Sequence, residues 1–134
     1  MKISNKELYD LAASARCSSY SPYSKISVGA ALITKSGKIY TGANIENAAY
    51  SPSVCAERVA LFSAIAAGER EFEAIAVAGG ESGKAPKDEF PPCGVCRQVM
   101  AEFCSRDFKI ILSEDKEISF FELLPYSFNG EYLK

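Results

Sequence analysis

At 134 residues, with 48% hydrophobic and 24% charged side chains, the chain has the length and composition of one globular domain, expected to span residues 1–134. Fifteen Lys and Arg against seventeen Asp and Glu leave a formal net charge of −2 with no basic stripe, which argues against a nucleic-acid partner. No apolar run approaches the roughly 18 residues of a membrane span, and the stretch from Met1 to Glu7 has no apolar signal region, so a cytoplasmic protein without a membrane partner is expected.

Ser4-Asn5-Lys6-Glu7 has the pattern of a helix capping box, and Ile3 and Leu8 have the spacing of a hydrophobic staple. Leu8, Leu11, Ala12 and Ala15 recur at helical spacing, so a first helix with one buried face is expected to run to about Cys17. Cys17 itself reads as a small core residue, as free cysteines commonly are. The polar stretch from Ser18 to Ser24, with Pro22 inside it, ends the helix. Two short strands, 28–34 and 38–42, flank the Ser36-Gly37 turn signal.

Asn44 to Pro52 is polar and contains a breaker, hence a loop. A second helix is expected from Cys55 to Ala67, with two adjoining apolar stripes that suggest burial on more than one side, and Gly68 as its stop. Ala74 to Ala78 is short and wholly apolar, as in a strand covered on both faces. Gly79 to Pro92, rich in Gly and Pro, is the longest expected loop, and loops of that length are often functional or mobile. A third helix carries Cys96, Val99, Met100 and Phe103 on one face, with Cys104 as a further core position. Strands at 108–112 and 118–120 and a helical turn at 121–124 complete the chain. The order α-ββ-α-β-α-β-β predicts a three-layer α/β/α domain around a five-stranded mixed sheet.

The five cysteines are an odd number without an export signal, which favours metal or catalytic use over disulfides. The absence of histidine leaves acid–base work to Glu, Asp, Lys, Tyr or a metal-bound water. Cys93-Gly94-Val95-Cys96 turns two sulfurs toward one point from a helix start. Alone, that pair serves equally as a redox motif, half of a structural zinc site or half of a catalytic one. Cys55, at a second helix start, adds a third thiolate where the helix dipole favours anionic sulfur. A closed structural site would have to recruit Cys17 or Cys104, neither of which has ligand spacing. Three protein ligands and an open position is the catalytic count for Zn²⁺.

Glu57, two residues after Cys55, can lie beside that open position because the cap residue has non-helical dihedrals. A Glu in the first turn also simply suits the helix dipole. Three thiolates on Zn²⁺ carry a net charge of −1. Arg58 is placed to donate to a sulfur and offset it.

The chain resembles the small, homotetrameric, zinc-dependent cytidine deaminases. The resemblance rests on Tyr20-Ser21-Pro22-Tyr23-Ser24, Val28-Gly29-Ala30-Ala31-Leu32, the run from Asn44 to Tyr50, Cys55-Ala56-Glu57-Arg58, Pro92-Cys93-Gly94-Val95-Cys96-Arg97-Gln98, Glu122-Leu123-Leu124-Pro125 and Ser127-Phe128. It implies a cytidine deaminase-like fold in which Cys55, Cys93 and Cys96 hold one Zn²⁺ per subunit. Glu57 would then move protons from water to N3 and to the departing 4-amino group of cytidine or deoxycytidine, in pyrimidine salvage.

It further implies that Asn44 and Glu46 bond the ribose 3′-hydroxyl and that the Ala56 N–H meets the base O2. Tyr50 and Phe128 would reach a neighbouring subunit's pocket. Ile26 occupies a substrate-binding position where such enzymes usually carry an aromatic ring, and Ile lacks the aromatic stacking contribution. The Gly79–Pro92 loop is longer than in compact members of the family. A same-fold deaminase of another cytosine-bearing molecule, such as a nucleoside antibiotic, and a non-enzymatic zinc-stabilised domain are the alternatives.

Overall fold

The computed structural model of the chain describes residues 3–134, so Met1 and Lys2, which begin the stretch read above for a signal, lie outside the described residues. Helix α1 (Asn5–Ala15) starts on the expected capping box: Ser4 accepts from the Glu7 N–H, and the Glu7 carboxylate accepts from the Ser4 N–H. Ile3 packs against the same apolar cluster as Leu8, as a staple should. Strands β1 (Ile26–Thr34) and β2 (Ile39–Ala43) form a hairpin whose turn places Gly37 at a left-handed φ of 96°.

Helix α2 (Ala56–Ala66), strand β3 (Phe72–Glu81), helix α3 (Gly94–Phe103), strands β4 (Lys109–Ser113) and β5 (Lys116–Ser119) and the short helix α4 (Phe120–Leu123) follow. The five strands form one sheet in the order β2-β1-β3-β4-β5. Only the β3–β4 pair is parallel, so the sheet is mixed as expected.

The sheet divides the core in two. On one face α1 packs Leu8 and Ala12 against Ala31, Ile33, Ala76 and Ile111. On the other, α2 and α3 cover Leu32, Ile75, Val77 and Ile110 with Ala60, Leu61, Ala64, Cys96 and Met100. β1 and β3 therefore carry apolar residues on both faces, and their continuous hydrophobic runs reflect that double cover. Small residues set the layer spacing. At Gly42 a Cβ would sit 2.6 Å from the Ala56 carbonyl oxygen and the Ala60 nitrogen, so only glycine lets the first turns of α2 rest directly on β2.

Four expectations are corrected. Cys17 is exposed, because α1 tightens into a 3-10 turn at Arg16–Ser18 that lifts the side chain out of the helix face. Leu11 is also exposed, so the buried stripe of α1 is narrower than its periodicity suggests. α2 is buried on one side only in the single chain: Ala56, Ala60, Leu61 and Ala64 face inward while Phe62 and Ala66 are exposed. β3 runs to Glu81 rather than ending at Ala78, because antiparallel pairing with β1 continues through Ile26–Glu81 and carries Gly79 and Gly80 into the ladder. That extension shortens the loop before α3 to residues 82–93.

Register decides where a site can form. Val28 pairs with Gly79, and Gly29 pairs with both Ala43 and Ala78. The start of β1, the end of β2 and the end of β3 therefore share one edge of the sheet. The loop after β2 leads to the N-terminus of α2, and the loop after β3 leads to that of α3. Both helix starts, with their unpaired N–H groups, lie over this edge.

Candidate active site

Cys55 and Cys93 are the N-cap residues of α2 and α3, both in extended conformation (ψ 155° and 171°). Neither side chain caps its own helix, which leaves both sulfurs free to turn toward each other. Cys96 follows one turn into α3 and is buried. Cys55 Sγ lies 3.6 Å from Cys93 Sγ, Cys93 Sγ lies 3.7 Å from Cys96 Sγ, and all three fall within 4.8 Å of one another. Tetrahedral Zn²⁺ with Zn–S bonds near 2.3 Å requires neighbouring sulfurs about 3.8 Å apart. Two of the three pairs already have that spacing and the third lies within 4.8 Å, and three soft sulfur donors suit Zn²⁺. Cys17 and Cys104 are not in the cluster. Cys104 caps the end of α3 and packs against the core, where burial pushes its thiol up to about 12.

Charge within the triad is uneven. Hydrogen bonding from the Cys96 thiol, supported by Arg58, pulls Cys55 down to about 5 against the opposing effect of burial. Cys96, which serves as that donor and is itself buried, is pushed up. Arg58 Nη2 donates to Cys55 Sγ at 3.4 Å, as the sequence suggested. Its Nε is buried with no partner among the described residues. A buried guanidinium edge with a spare donor needs an anion beside it, and the sulfurs supply one.

Glu57 is only 4% exposed, and burial pushes its carboxyl up to about 7. It lines a cavity of about 240 Å³ together with Asn44, Glu46, Cys55, Cys93 and Phe90. A carboxyl that is half protonated near neutrality, beside the sulfur triad and open to a cavity, is suited to taking and returning protons. Ala56, the first residue of α2, has its methyl wholly buried, while its N–H belongs to the group a helix leaves unpaired.

Two isolated bridges, Tyr20–Ile45 and Ile45–Val54, pin the loop after β2 and hold Asn44 and Glu46 beside the cavity. Asn44 Oδ1 accepts from the Ser19 hydroxyl (2.7 Å) and the Val28 N–H (2.9 Å), and Nδ2 donates to the Ile26 carbonyl (2.8 Å). Both lone-pair directions of its oxygen are used, so one N–H is what the side chain can still offer. Glu46 accepts from the N–H groups of Tyr23 (2.9 Å) and Ser24 (3.1 Å) and from the Ser24 hydroxyl. These bonds, the hydroxyl foremost, hold its carboxyl below the usual range, and its anionic oxygens keep acceptor capacity. One donor and one acceptor, both held rigid, match a single hydroxyl group.

Tyr50 and Phe128 stand apart from this cavity. Tyr50 is 75% exposed and lines an adjoining cavity of about 360 Å³ with Tyr23, Ser24, Glu46, Asn47 and Ser53. Phe128 is 56% exposed, stacks on Tyr132 at 5.5 Å between ring centroids, and has its carbonyl tied to the Gln98 amide. Ile26 packs its side chain against the core and does not line the cavity. The aromatic residue on the cavity wall is Phe90, which sequence reasoning passed over. Its signal was Gly79: an apolar ring in a loop, eleven residues on from a strand glycine, has no visible destination until that glycine is recognised as its seat.

Residues 2–112 match the family described as the cytidine and deoxycytidylate deaminase zinc-binding region. The chain is 49% identical over 121 residues to a cytidine deaminase of Halalkalibacterium halodurans, covering 87% of this chain and 88% of that one. It is 46% identical over 123 residues to the cytidine deaminase of Sporosarcina psychrophila, covering 89% and 87%. Its fold superimposes on the crystal structure of cytidine deaminase from Burkholderia pseudomallei with a TM-score of 0.81 at 44% identity, covering 90% of this chain and 96% of that one. The order of elements, the sulfur triad and this similarity over almost the whole length agree, and the chain belongs to the cytidine and deoxycytidylate deaminase family.

Proposed function

We propose that this chain is one catalytic domain, residues 1–134, which hydrolyses cytidine, and deoxycytidine with it, to the corresponding uridine and ammonia. The observation that carries the reading is the set of three sulfurs within 4.8 Å of one another, two pairs at tetrahedral zinc spacing, with a buried carboxyl opening into the same cavity. Cys55, Cys93 and Cys96 would hold one Zn²⁺, which supplies a water made acidic near neutral pH. Glu57 would take one proton from the attacking water and pass it to the pyrimidine N3, then take the second from the hydroxyl left on C4 and pass it to the 4-amino group, so that the C4–N bond breaks, ammonia leaves and C4 keeps a carbonyl oxygen. Asn44 and Glu46 receive the ribose 3′-hydroxyl as donor and acceptor, and the Ala56 N–H faces the base O2. Arg58 balances the excess negative charge of the sulfurs. The rigid Asn44–Glu46 pair favours a nucleoside over other cytosine-bearing molecules, since it has no use without a sugar hydroxyl.

The working form in this reading is a homotetramer in the cytoplasm. Tyr50, Phe62 and Phe128 are exposed on the single chain, and in this reading neighbouring subunits cover them. Tyr50 and Phe128, neither of which lines its own chain's Glu57 cavity, would complete a neighbour's. No helix among the described residues is long and apolar enough to cross a membrane, and the acidic surface argues against nucleic acid.

Two measurements test this. Purified, zinc-loaded protein incubated with cytidine or deoxycytidine should show the ultraviolet change of conversion to the uracil nucleoside with release of one ammonia. Failure with both nucleosides would sink the reading. Light scattering should give a mass near four times the 14.5 kDa chain. A monomeric mass with full activity would remove Tyr50 and Phe128 from the site.

A further inference from the structure

We infer that Phe90 is the residue that grips the face of the pyrimidine ring, and that Gly79 exists to position it. The inference rests on the cytidine reading and adds to it a residue for which sequence patterns gave no role. A pyrimidine presents polar atoms at its edge and flat apolar surface on its faces. The cavity meets the first need with Glu57 and the helix N-terminus at Ala56. For the second it has Val28, Val54, Pro91 and Phe90, of which Phe90 alone is aromatic. Ile26 and Phe90 both pack against the core, but of the two only Phe90 lines the cavity.

The placement of Phe90 is built in. The loop from residue 82 folds back over the end of β3, where the Lys87 N–H donates to the Gly79 carbonyl at 2.8 Å and the Ala85–Lys87 backbone lies against Gly80. Glu89 then turns the chain at a φ of 52°, a left-handed conformation that a non-glycine residue adopts only at a cost. The Phe90 ring comes to rest on Gly79. A Cβ at that position would meet ring carbons Cγ, Cδ2 and Cε2 at 2.6 to 2.9 Å. Those atoms are the far end of a side chain, so an alanine there would push the ring aside rather than break the strand. The device is a loop clamped to a strand by backbone contacts, carrying one aromatic ring seated on a glycine.

The test is a double-mutant cycle read in steady-state kinetics. Phe90→Leu keeps apolar volume and removes the ring. It should raise KM for cytidine roughly two- to twelve-fold, the range that aromatic stacking spans, with kcat nearly unchanged and one zinc retained per chain. Phe90→Tyr should restore the wild-type KM. Gly79→Ala should raise KM in the same direction in the wild type, but add little in the Phe90→Leu background, because the ring it displaces is already gone. Uridine binding by calorimetry should weaken in parallel with KM.

A wild-type KM in Phe90→Leu, or a Gly79→Ala effect of equal size in both backgrounds, overturns the inference while leaving the deaminase reading intact. If wild-type protein neither converts cytidine nor binds uridine, both fall. Should Phe90→Leu not fold, Gly79→Ala alone decides: an unchanged KM there overturns the role given to Phe90.

Discussion

Replacing Glu57 with Gln should abolish turnover while leaving the fold and the zinc in place. The substitution keeps the size of the side chain and removes its ability to carry a proton. General acid–base catalysis by one group is worth about 10²- to 10⁴-fold, and in the proposed reaction Glu57 acts at the water, at N3 and at the leaving amine. A loss at or beyond the upper end, about 10⁴-fold in kcat, is therefore expected. The accompanying effect on stability has the opposite sign from most core substitutions. Glu57 is 4% exposed, and its charged form is disfavoured by burial and by the nearby Cys55 thiolate. A neutral amide escapes both penalties, so Glu57→Gln should melt no lower than the wild type. Thermal unfolding, metal content and the ultraviolet assay on one preparation check all three parts. Retained activity would exclude Glu57 as the proton carrier and return the site to a structural role. A zinc-deficient variant would show instead that Glu57 helps hold the metal.

The parts of this site that could be read in the sequence are those where chemistry dictates residue type and helix geometry dictates spacing. Cys93 and Cys96 share a face because they are three apart. Cys55 and Glu57 share a target because Cys55 is a cap residue outside the helix. Both relations are local: the three sulfurs lie within 4.8 Å of one another, and Glu57 lines the same cavity as Cys55 and Cys93. The buried face of α3, the Leu8 and Ala12 positions of α1 and the doubly covered β3 were legible for the same reason, since the hydrophobic pattern reports burial directly.

What escaped was set by contacts distant in sequence or by the ends of elements. Whether β3 stopped at Ala78 or continued to Glu81 depended on its partner β1, not on its own composition. The exposure of Cys17 followed from a tightening of one helical turn. The outer face of α2 looked like core because Phe62 is apolar, yet a single chain has nothing to cover it. Phe90 sat in a stretch read simply as loop, and its role emerges only when Gly79, eleven positions earlier and on a strand, is seen beneath its ring. The sequence drew attention to Ile26 as a departure, and the aromatic ring that lines the cavity instead is Phe90, from the loop before α3.

Stripping the metal should abolish activity reversibly and also cost stability, because the site ties the N-termini of two helices together. Cys55 belongs to α2, and Cys93 and Cys96 to α3. A ligand present at about a thousand times its dissociation constant stabilises the folded state by about 4 kcal/mol. For a domain of this length roughly 4 °C per kcal/mol is expected, so chelation should lower Tm by about 15 °C, with full recovery when zinc is returned.

Arg58 is expected to set how tightly the metal is held. Three thiolates and Zn²⁺ leave one negative charge in a partly buried site, and the guanidinium that donates to Cys55 Sγ offsets it. Arg58→Gln removes the charge and, with an amide nitrogen two bonds short of the guanidinium Nη2, the hydrogen bond to Cys55 Sγ as well. Removing the charge partner of a partly buried thiolate raises the cost of keeping that sulfur ionised, which is the form that binds metal. Zinc affinity measured by competition with a chromophoric chelator should therefore fall by about 10-fold or more, the range seen when a partner outside the ligand set is lost. Turnover at saturating zinc should also fall, since an uncompensated anionic site makes water less acidic. Unchanged affinity and unchanged turnover in Arg58→Gln would mean that the net charge of the triad is balanced elsewhere, and the contact at 3.4 Å would be packing alone.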